Sequence, residues 1–287
     1  MISETLLSPV ADEPRAPSIR PDAGAHQSLA RLETVRSEPN GQEVLLRRME
    51  FKYLVDRTTR TALARDVGAI MRPDAYGGED GSYLVRSLYF DTPYHRAFLE
   101  KMDGAAIRHK LRVRAYGEDP RQTSLVRLEV KSRYLQCIHK IVVDVAREDY
   151  PEVEAAFQQR TLPPSWLLET PGVSKEFFRI QRQYNQEPKI LIQYRRQAFE
   201  RRELGRIRVN FDDELLATTN LELLAPLAGA RRLLRYGHAV FEIKVDGAMP
   251  TWLHMLIGKY NLQNQAFSKY CYGMRSGARF SALARST

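Results

Sequence analysis

Residues 106–116 read AIRHKLRVRAY, and at the two-residue period of a strand Arg108, Lys110, Arg112, Arg114 and Tyr116 fall on one face. Ile107, His109, Leu111, Val113 and Ala115 fall on the other. Cations at alternate positions stand about 7 Å apart along an extended chain. They repel one another unless water or a bound anion neutralises them. Arginine grips a phosphate through a planar fork of N–H donors, so a row with this spacing suits a chain of phosphates. A half-buried strand with a solvated basic face would read the same way, and this stretch alone leaves both open.

The elements around this row repeat its pattern. In residues 44–55, Arg48, Glu50 and Lys52 alternate with Met49, Phe51 and Tyr53. Residues 124–133 set Arg127, Glu129, Lys131 and Arg133 against Val126, Leu128 and Val130. Residues 238–246 set Val240, Glu242, Lys244 and Asp246 against Phe241, Ile243 and Val245. Further strands are predicted over 82–92, 135–145, 189–200 and 206–212, which makes eight strands. Helices are predicted over 57–71, with Asp56 as N-cap, and over 94–102, 148–160, 173–186 and 250–260. Strands that follow one another directly pair antiparallel. If the apolar faces pack outward against helices, the charged faces must converge inward, and eight strands can close around a small ligand or a narrow channel. The predicted fold class is α+β: an eight-stranded antiparallel barrel with a polar lumen and helices outside. An open sheet with one face in water explains the alternation but gives no reason for glutamates among the basic residues.

Composition bounds the function. The chain has 287 residues, with 44 Lys and Arg against 35 Asp and Glu, a net charge of +9. That balance favours an anionic partner such as a nucleotide, polyphosphate, nucleic acid or acidic lipid surface. The two cysteines, Cys137 and Cys271, form no CxxC or His/Cys cluster, which argues against a disulfide framework or structural zinc and fits a reducing compartment. There is no basic, then apolar leader at the start and no stretch of about 18 apolar residues. The expectation is a soluble cytoplasmic protein with no transmembrane segment. Residues 1–42, rich in Pro, Ala, Ser, Glu and Arg, read as a disordered tail, and residues 43–280 as one ordered domain. The basic strands lack interleaved exposed aromatics, so no specific nucleic acid is expected.

Nine short motifs, in order, carry a resemblance. They are Glu50-Phe51-Lys52-Tyr53; Ser87-Leu88-Tyr89-Phe90-Asp91-Thr92; Lys101-x-x-Gly104; Arg108-x-Lys110-x-Arg112-x-Arg114-x-Tyr116; and Glu129-Val130-Lys131. Tyr194-x-Arg196-x-Ala198-Phe199, Arg208-x-x-x-Asp212, Glu242-x-Lys244 and Ser268-Lys269-Tyr270 complete the set. Together they resemble the VTC domain, the catalytic domain of vacuolar transporter chaperone polyphosphate polymerases, within the CYTH-like triphosphate tunnel metalloenzymes. The resemblance implies an eight-stranded tunnel that transfers the terminal phosphoryl group of ATP to inorganic polyphosphate with Mn²⁺ or Mg²⁺. Residue by residue, it places Lys52, Arg112, Arg114, Lys131, Lys140, Arg196, Arg208, Ser268 and Lys269 on phosphate and Glu242 on the metal. Arg112, Arg114, Arg196, Arg208 and Lys269 are the catalytic candidates; Lys110 and Lys244 join the substrate-binding set. The sequence departs from the family at Ala266, where a basic residue is common, and the tunnel signature ExExK is reduced to Glu50-x-Lys52. No inositol-phosphate-sensing domain or membrane helix of the eukaryotic complex is recognised. A membrane-protein partner is therefore left open.

The chemistry is consistent with that implication. Phosphoryl transfer needs positioning and charge neutralisation more than a covalent nucleophile. A terminal phosphate oxygen of the acceptor is already ionised, so no Ser-His-Asp arrangement is required. Glu50 and Glu129 read as ion-pair partners of the surrounding cations, and Asp91 as a turn or helix-start residue. Arg108 is expected nearer the mouth and in solvent. Two other functions share these residues: a triphosphatase in which water replaces the acceptor, and a non-catalytic module that binds polyphosphate.

Overall fold

The computed structural model describes residues 48–78, 81–135, 137–169, 174–201 and 206–276. The expected tail over 1–42 lies outside the described residues, as do 43–47 and 277–280 of the expected domain. In chain order the elements are β1 (Arg48–Val55), α1 (Arg57–Gly68), β2 (Arg72–Pro73), β3 (Ser82–Asp91), α2 (Arg96–Met102) and β4 (Ile107–Gly117). Then come β5 (Leu125–Tyr134), β6 (Cys137–Ala146), α3 (Tyr150–Gln159), α4 (Ser165–Glu169), α5 (Ser174–Gln183) and β7 (Glu187–Arg201). The chain continues with β8 (Ile207–Thr218), β9 (Arg231–Arg232), β10 (Ala239–Asp246), α6 (Thr251–Lys259) and α7 (Lys269–Ser276).

Eight long strands form one antiparallel sheet in the order β1-β10-β8-β7-β3-β4-β5-β6, with two-residue β2 and β9 added beside β7 and β8. The expected eight-stranded α+β sheet is present, but its ring is not closed by backbone hydrogen bonds. Among the described residues, β1 and β6 end the path and do not pair. The reason lies on the outer edge of β1. There Lys52 N–H donates to Asn264 Oδ1 at 3.0 Å and Gln265 N–H donates to the Lys52 carbonyl at 2.7 Å. A segment leading to α7 thus occupies an edge that another strand would need. Curl still brings side chains across the gap, with Glu50 of β1 3.9 Å from Lys131 of β5.

The outward faces carry most of the core. Leu111, Val113, Val126, Leu128 and Val130 of β4 and β5 pack with Val153, Phe157, Phe177 and Ile180 of α3 and α5. Tyr53, Phe211, Phe241, Ile243 and Val245 of β1, β8 and β10 pack with Leu63, Val67 and Leu253 of α1 and α6. Each buried side chain of this size contributes about 1.5–3 kcal/mol over leaving it in water, which fixes the register that turns the charges inward. Asp56 caps α1 through Thr59 N–H at 2.9 Å, and the helix stops at Gly68.

The third cluster sits on the concave face. Ile190 and Ile192 lie opposite Tyr89 and Ser87 in register and share a face with Tyr194. α7 packs onto them so closely that a Cβ on Gly273 would stand 2.9 Å from both Ile190 Cδ1 and Ile192 Cδ1. Only glycine allows this approach. Tyr270 O–H donates to the buried Asp91 carboxylate, which also accepts from Ala97 and Phe98 N–H at the start of α2. Asp91 is thus the helix-start residue expected, and it ties α7 to α2. No helix among the described residues is long and apolar enough to cross a membrane.

Candidate functional site

The inward charges surround an open cavity of about 210 Å³. β1 contributes Glu50 and Lys52, and β3 contributes Tyr89. β4 contributes Arg108, Lys110, Arg112 and Arg114. Lys131 and Arg133 come from β5, Lys140 from β6, Tyr194 and Arg196 from β7, and Glu242 and Lys244 from β10. α2 adds Lys101, and the start of α7 adds Phe267, Ser268, Lys269 and Tyr270. Twelve basic side chains therefore face two lining carboxylates, an imbalance that a polyanion would relieve.

Three groups of carboxylates hold the cations in place. Glu129, 1% exposed, accepts from Arg112 Nε at 2.5 Å and lies 3.6 Å from Arg114 and 3.2 Å from Lys140. Burial alone would raise its pKa, but Arg112, Arg114 and Lys140 hold it well below the usual carboxylate range. Asp212, wholly buried, takes a bidentate grip from Arg196 at 2.6 and 2.9 Å and an ion pair from Lys269 at 2.5 Å. Burial again opposes ionisation, and Arg196 and Lys269 overcome it. Arg196 and Lys269 also stand over the Tyr194 ring at 5.2 and 4.7 Å.

Glu50 and Glu242 form the third group. They belong to adjacent strands and meet at Lys52, whose ammonium lies 2.6 Å from Glu50 and 3.6 Å from Glu242; Lys244 lies 3.7 Å from Glu242. Burial would raise the Glu50 pKa, but the charges of Lys52, Lys131 and Lys244 hold it well down. Asn210 Nδ2 donates to Glu242 at 3.3 Å. Lys52 is a cation that the two carboxylates share, and their oxygens also suit a hard divalent ion. No cluster of three or more metal-ligating side chains occurs among the described residues, so phosphate oxygens and water would complete such a site.

Of the residues singled out in the sequence, Lys52, Lys110, Arg112, Arg114, Lys131, Lys140, Arg196, Glu242, Lys244, Ser268 and Lys269 all line this cavity. Arg208 is not among the lining residues. It shares the inward face of β8 with Asn210 and Asp212: its Nε donates to Asn210 Oδ1 at 3.2 Å, and its Nη2 bonds Asp74 and, at 3.1 Å, the Tyr83 hydroxyl. Arg108 also departs from expectation. It is only 8% exposed and lines the cavity, with Nη1 donating to the Ala105 carbonyl at 2.6 Å. Sequence reasoning gave no role to Asp212, Tyr89 or Lys101. Asp212 had a signal in its place two residues after Asn210 on an inward face. His109 points outward, buried, with Nδ1 2.7 Å from Ser132 Oγ.

Comparison with known proteins follows this geometry. The VTC domain family matches residues 47–277. No match to a curated protein reaches significance. Among solved structures, the chain is similar to the Hippeastrum protein HpAC1, described as having a dominant triphosphatase activity. The identity is 12% and the TM-score 0.46, over 79% of this chain and 94% of that one. It is similar too to a candidate adenylate cyclase from Bacillus halodurans, at 13% identity and TM-score 0.43, over 76% of this chain and 92% of that one. The PH1819 protein from Pyrococcus horikoshii gives 10% and 0.42, over 82% and 99%. With a family match spanning every described residue, the chain belongs to the VTC domain family.

Proposed function

We propose that the protein is a polyphosphate polymerase that transfers the terminal phosphoryl group of ATP to a growing inorganic polyphosphate chain. The observation that carries this reading is the cavity itself: twelve cations around Glu50 and Glu242, which Lys52 joins, in a VTC domain. Arg112 and Arg114, held by Glu129, and Arg196 and Lys269, held by Asp212, line one space. Such preset donors bind phosphate oxygens without reorganising when charge shifts during transfer. Lys52 and Lys244 flank the carboxylate pair and would neutralise the remaining oxygens. Ser268, which accepts from Cys271 N–H at 3.4 Å, places a hydroxyl at the start of α7 beside Lys269.

Glu242, with Glu50, would hold Mn²⁺ or Mg²⁺. Such an ion would supply Lewis-acid neutralisation of phosphate charge. The acceptor oxygen is ionised at neutral pH and needs no protein base.

The test is a product assay with ATP and Mn²⁺, run on the wild type and on Glu242→Gln. The proposal expects long polyphosphate from the wild type. Glu242→Gln should lower turnover at least about a hundredfold, the scale of losing one electrostatic contact to the transition state. Its binding of tripolyphosphate should be retained. Orthophosphate as the sole product would make the protein a triphosphatase. Binding without turnover in the wild type would make it a binding module.

A further inference from the structure

β6 ends the sheet, and its outer edge is open. Among the described residues nothing bonds that edge between His139 and Val145, whereas residues 264–265 cap the matching edge of β1. Alternate residues of an edge strand turn both N–H and C=O away from their one neighbour, and these groups template the pairing of another strand. Natural edges are commonly blunted by proline, by a bulge or by extreme shortness. β6 has none of these. It runs ten residues, Cys137–Ala146, without Pro or Gly, and pairs with β5 without a register shift. Ile141, Val142, Val143 and Val145 give it strong strand propensity.

Two charges on β6 guard this edge against most partners but suit a second copy of the same strand. Lys140 and Asp144 share one face, on either side of Val142, with side chains 41% and 40% exposed. Let two β6 strands meet antiparallel about a two-fold axis at Val142. Each Lys140 then stands opposite the partner's Asp144, and each Ile141 opposite the partner's Val143. Opposite charges and β-branched pairs at facing positions stabilise a sheet. An axis at Lys140 or Asp144 would instead set like charges against each other. An axis at Ile141 or Val143 would face one charge with Val142. Both charges are also anchored on β5. Lys140 lies 3.2 Å from Glu129, and Asp144 accepts from Arg127 at 2.6 and 2.9 Å. Self-pairing about Val142 joins these two ion pairs into one network of alternating sign.

We propose that the outer edge of β6 is a homodimer interface, in which two copies of this chain pair antiparallel about Val142 and run one sheet through both. Main-chain hydrogen bonds supply the affinity, and the two Lys140–Asp144 pairs fix the register. Each copy thereby sets a carboxylate beside Lys140, a lining cation of the other's cavity.

The test combines light scattering on the full chain with cysteine cross-linking. The wild type should show twice the monomer mass at micromolar concentration. Asp144→Lys sets lysine against lysine at both pairs and should raise the dimer's dissociation constant at least about tenfold. A single cooperative melt reports that this variant is folded. Facing residues of an antiparallel pair lie within disulfide reach. Val142→Cys should therefore give a linked dimer on mild oxidation, above the background of the wild type and of Thr61→Cys on the exposed side of α1. A monomeric wild type would overturn the interface. So would a dimer as tight in folded Asp144→Lys as in the wild type, or a Val142→Cys chain that does not link. If Asp144→Lys does not fold, the cysteine result decides.

Discussion

Asp212→Asn separates a counter-ion from a scaffold residue. Asp212 is wholly buried and carries Arg196 at 2.6 and 2.9 Å and Lys269 at 2.5 Å. Removing one partner of a buried pair costs about 3–5 kcal/mol, because the remaining charges are left without compensation. Asparagine keeps the volume and one acceptor, which puts the loss near the lower end, about 3 kcal/mol. For a domain of this size each kcal/mol moves Tm by about 2–4 °C, so the variant should melt about 6–12 °C lower at pH 7. The pH dependence has a definite sign. The folded pKa of Asp212 lies below its unfolded value, so its contribution is complete above about pH 4 and fades as pH falls through the folded value. The variant's deficit should therefore shrink on acidification. A phosphate chain supplies the missing negative charge to Arg196 and Lys269. Saturating tripolyphosphate should thus raise the variant's Tm more than the wild type's and recover at least half of the gap. The assay is thermal unfolding with and without tripolyphosphate at pH 7, and without it in steps from pH 4 down to about pH 2. An equal deficit with and without ligand would refute the reasoning, since Asp212 would then not be standing where substrate charge stands.

Two further outcomes follow from single contacts. Loss of hydration pulls the Lys140 ammonium down to about 8 against the opposing pull of Glu129, and Arg112 and Arg114 add to the fall. Tripolyphosphate affinity should accordingly weaken as pH rises through about 8, and calorimetry should show proton uptake on binding there; Lys140→Arg should flatten both. Gly273→Ala would press a methyl against Ile190 and Ile192 at 2.9 Å, costing about 1–3 kcal/mol by overpacking. Because α7 begins at Lys269, turnover should drop along with Tm, whereas Gly258→Ala, whose added Cβ meets nothing, should leave both near wild type.

The inward convergence of charge was legible because a half-apolar strand has only one way to bury itself. Glu50, Glu129 and Glu242 among lysines and arginines marked the inner face before any contact was known. Eleven of the twelve site residues named from the sequence meet in one cavity for that reason. What escaped notice depended on partners far away in the chain. Arg208 has the alternation of a lining residue and bonds Asn210 on that face, while Asp74, from the loop after β2, takes the other side of its guanidinium. Arg108 was assigned to solvent because the Ala105 carbonyl that holds it has no sequence signature. Residues 269–276 carried no predicted helix, and Ile190 and Ile192 read as an ordinary strand face; each makes sense only against the other. The two-residue β2 and β9 are too short for any period to show.

The edge of β1, capped by residues 264–265 rather than by β6, carries a consequence for biogenesis. β1, near the start of the described residues, pairs with β10, and Lys269 follows Arg112 by more than half the chain's length. Contacts of such long sequence separation form slowly, because loop closure precedes any gain from them. On a ribosome, β4 and β5 emerge and can pair early, presenting their basic faces before Asp212, Glu242 or α7 exist to balance them. Over that interval Glu129 of β5 is the carboxylate at hand for Arg112, Arg114 and Lys140. The cavity is complete only once α7 has docked, so phosphate binding reads out that docking rather than the pairing of β4 with β5.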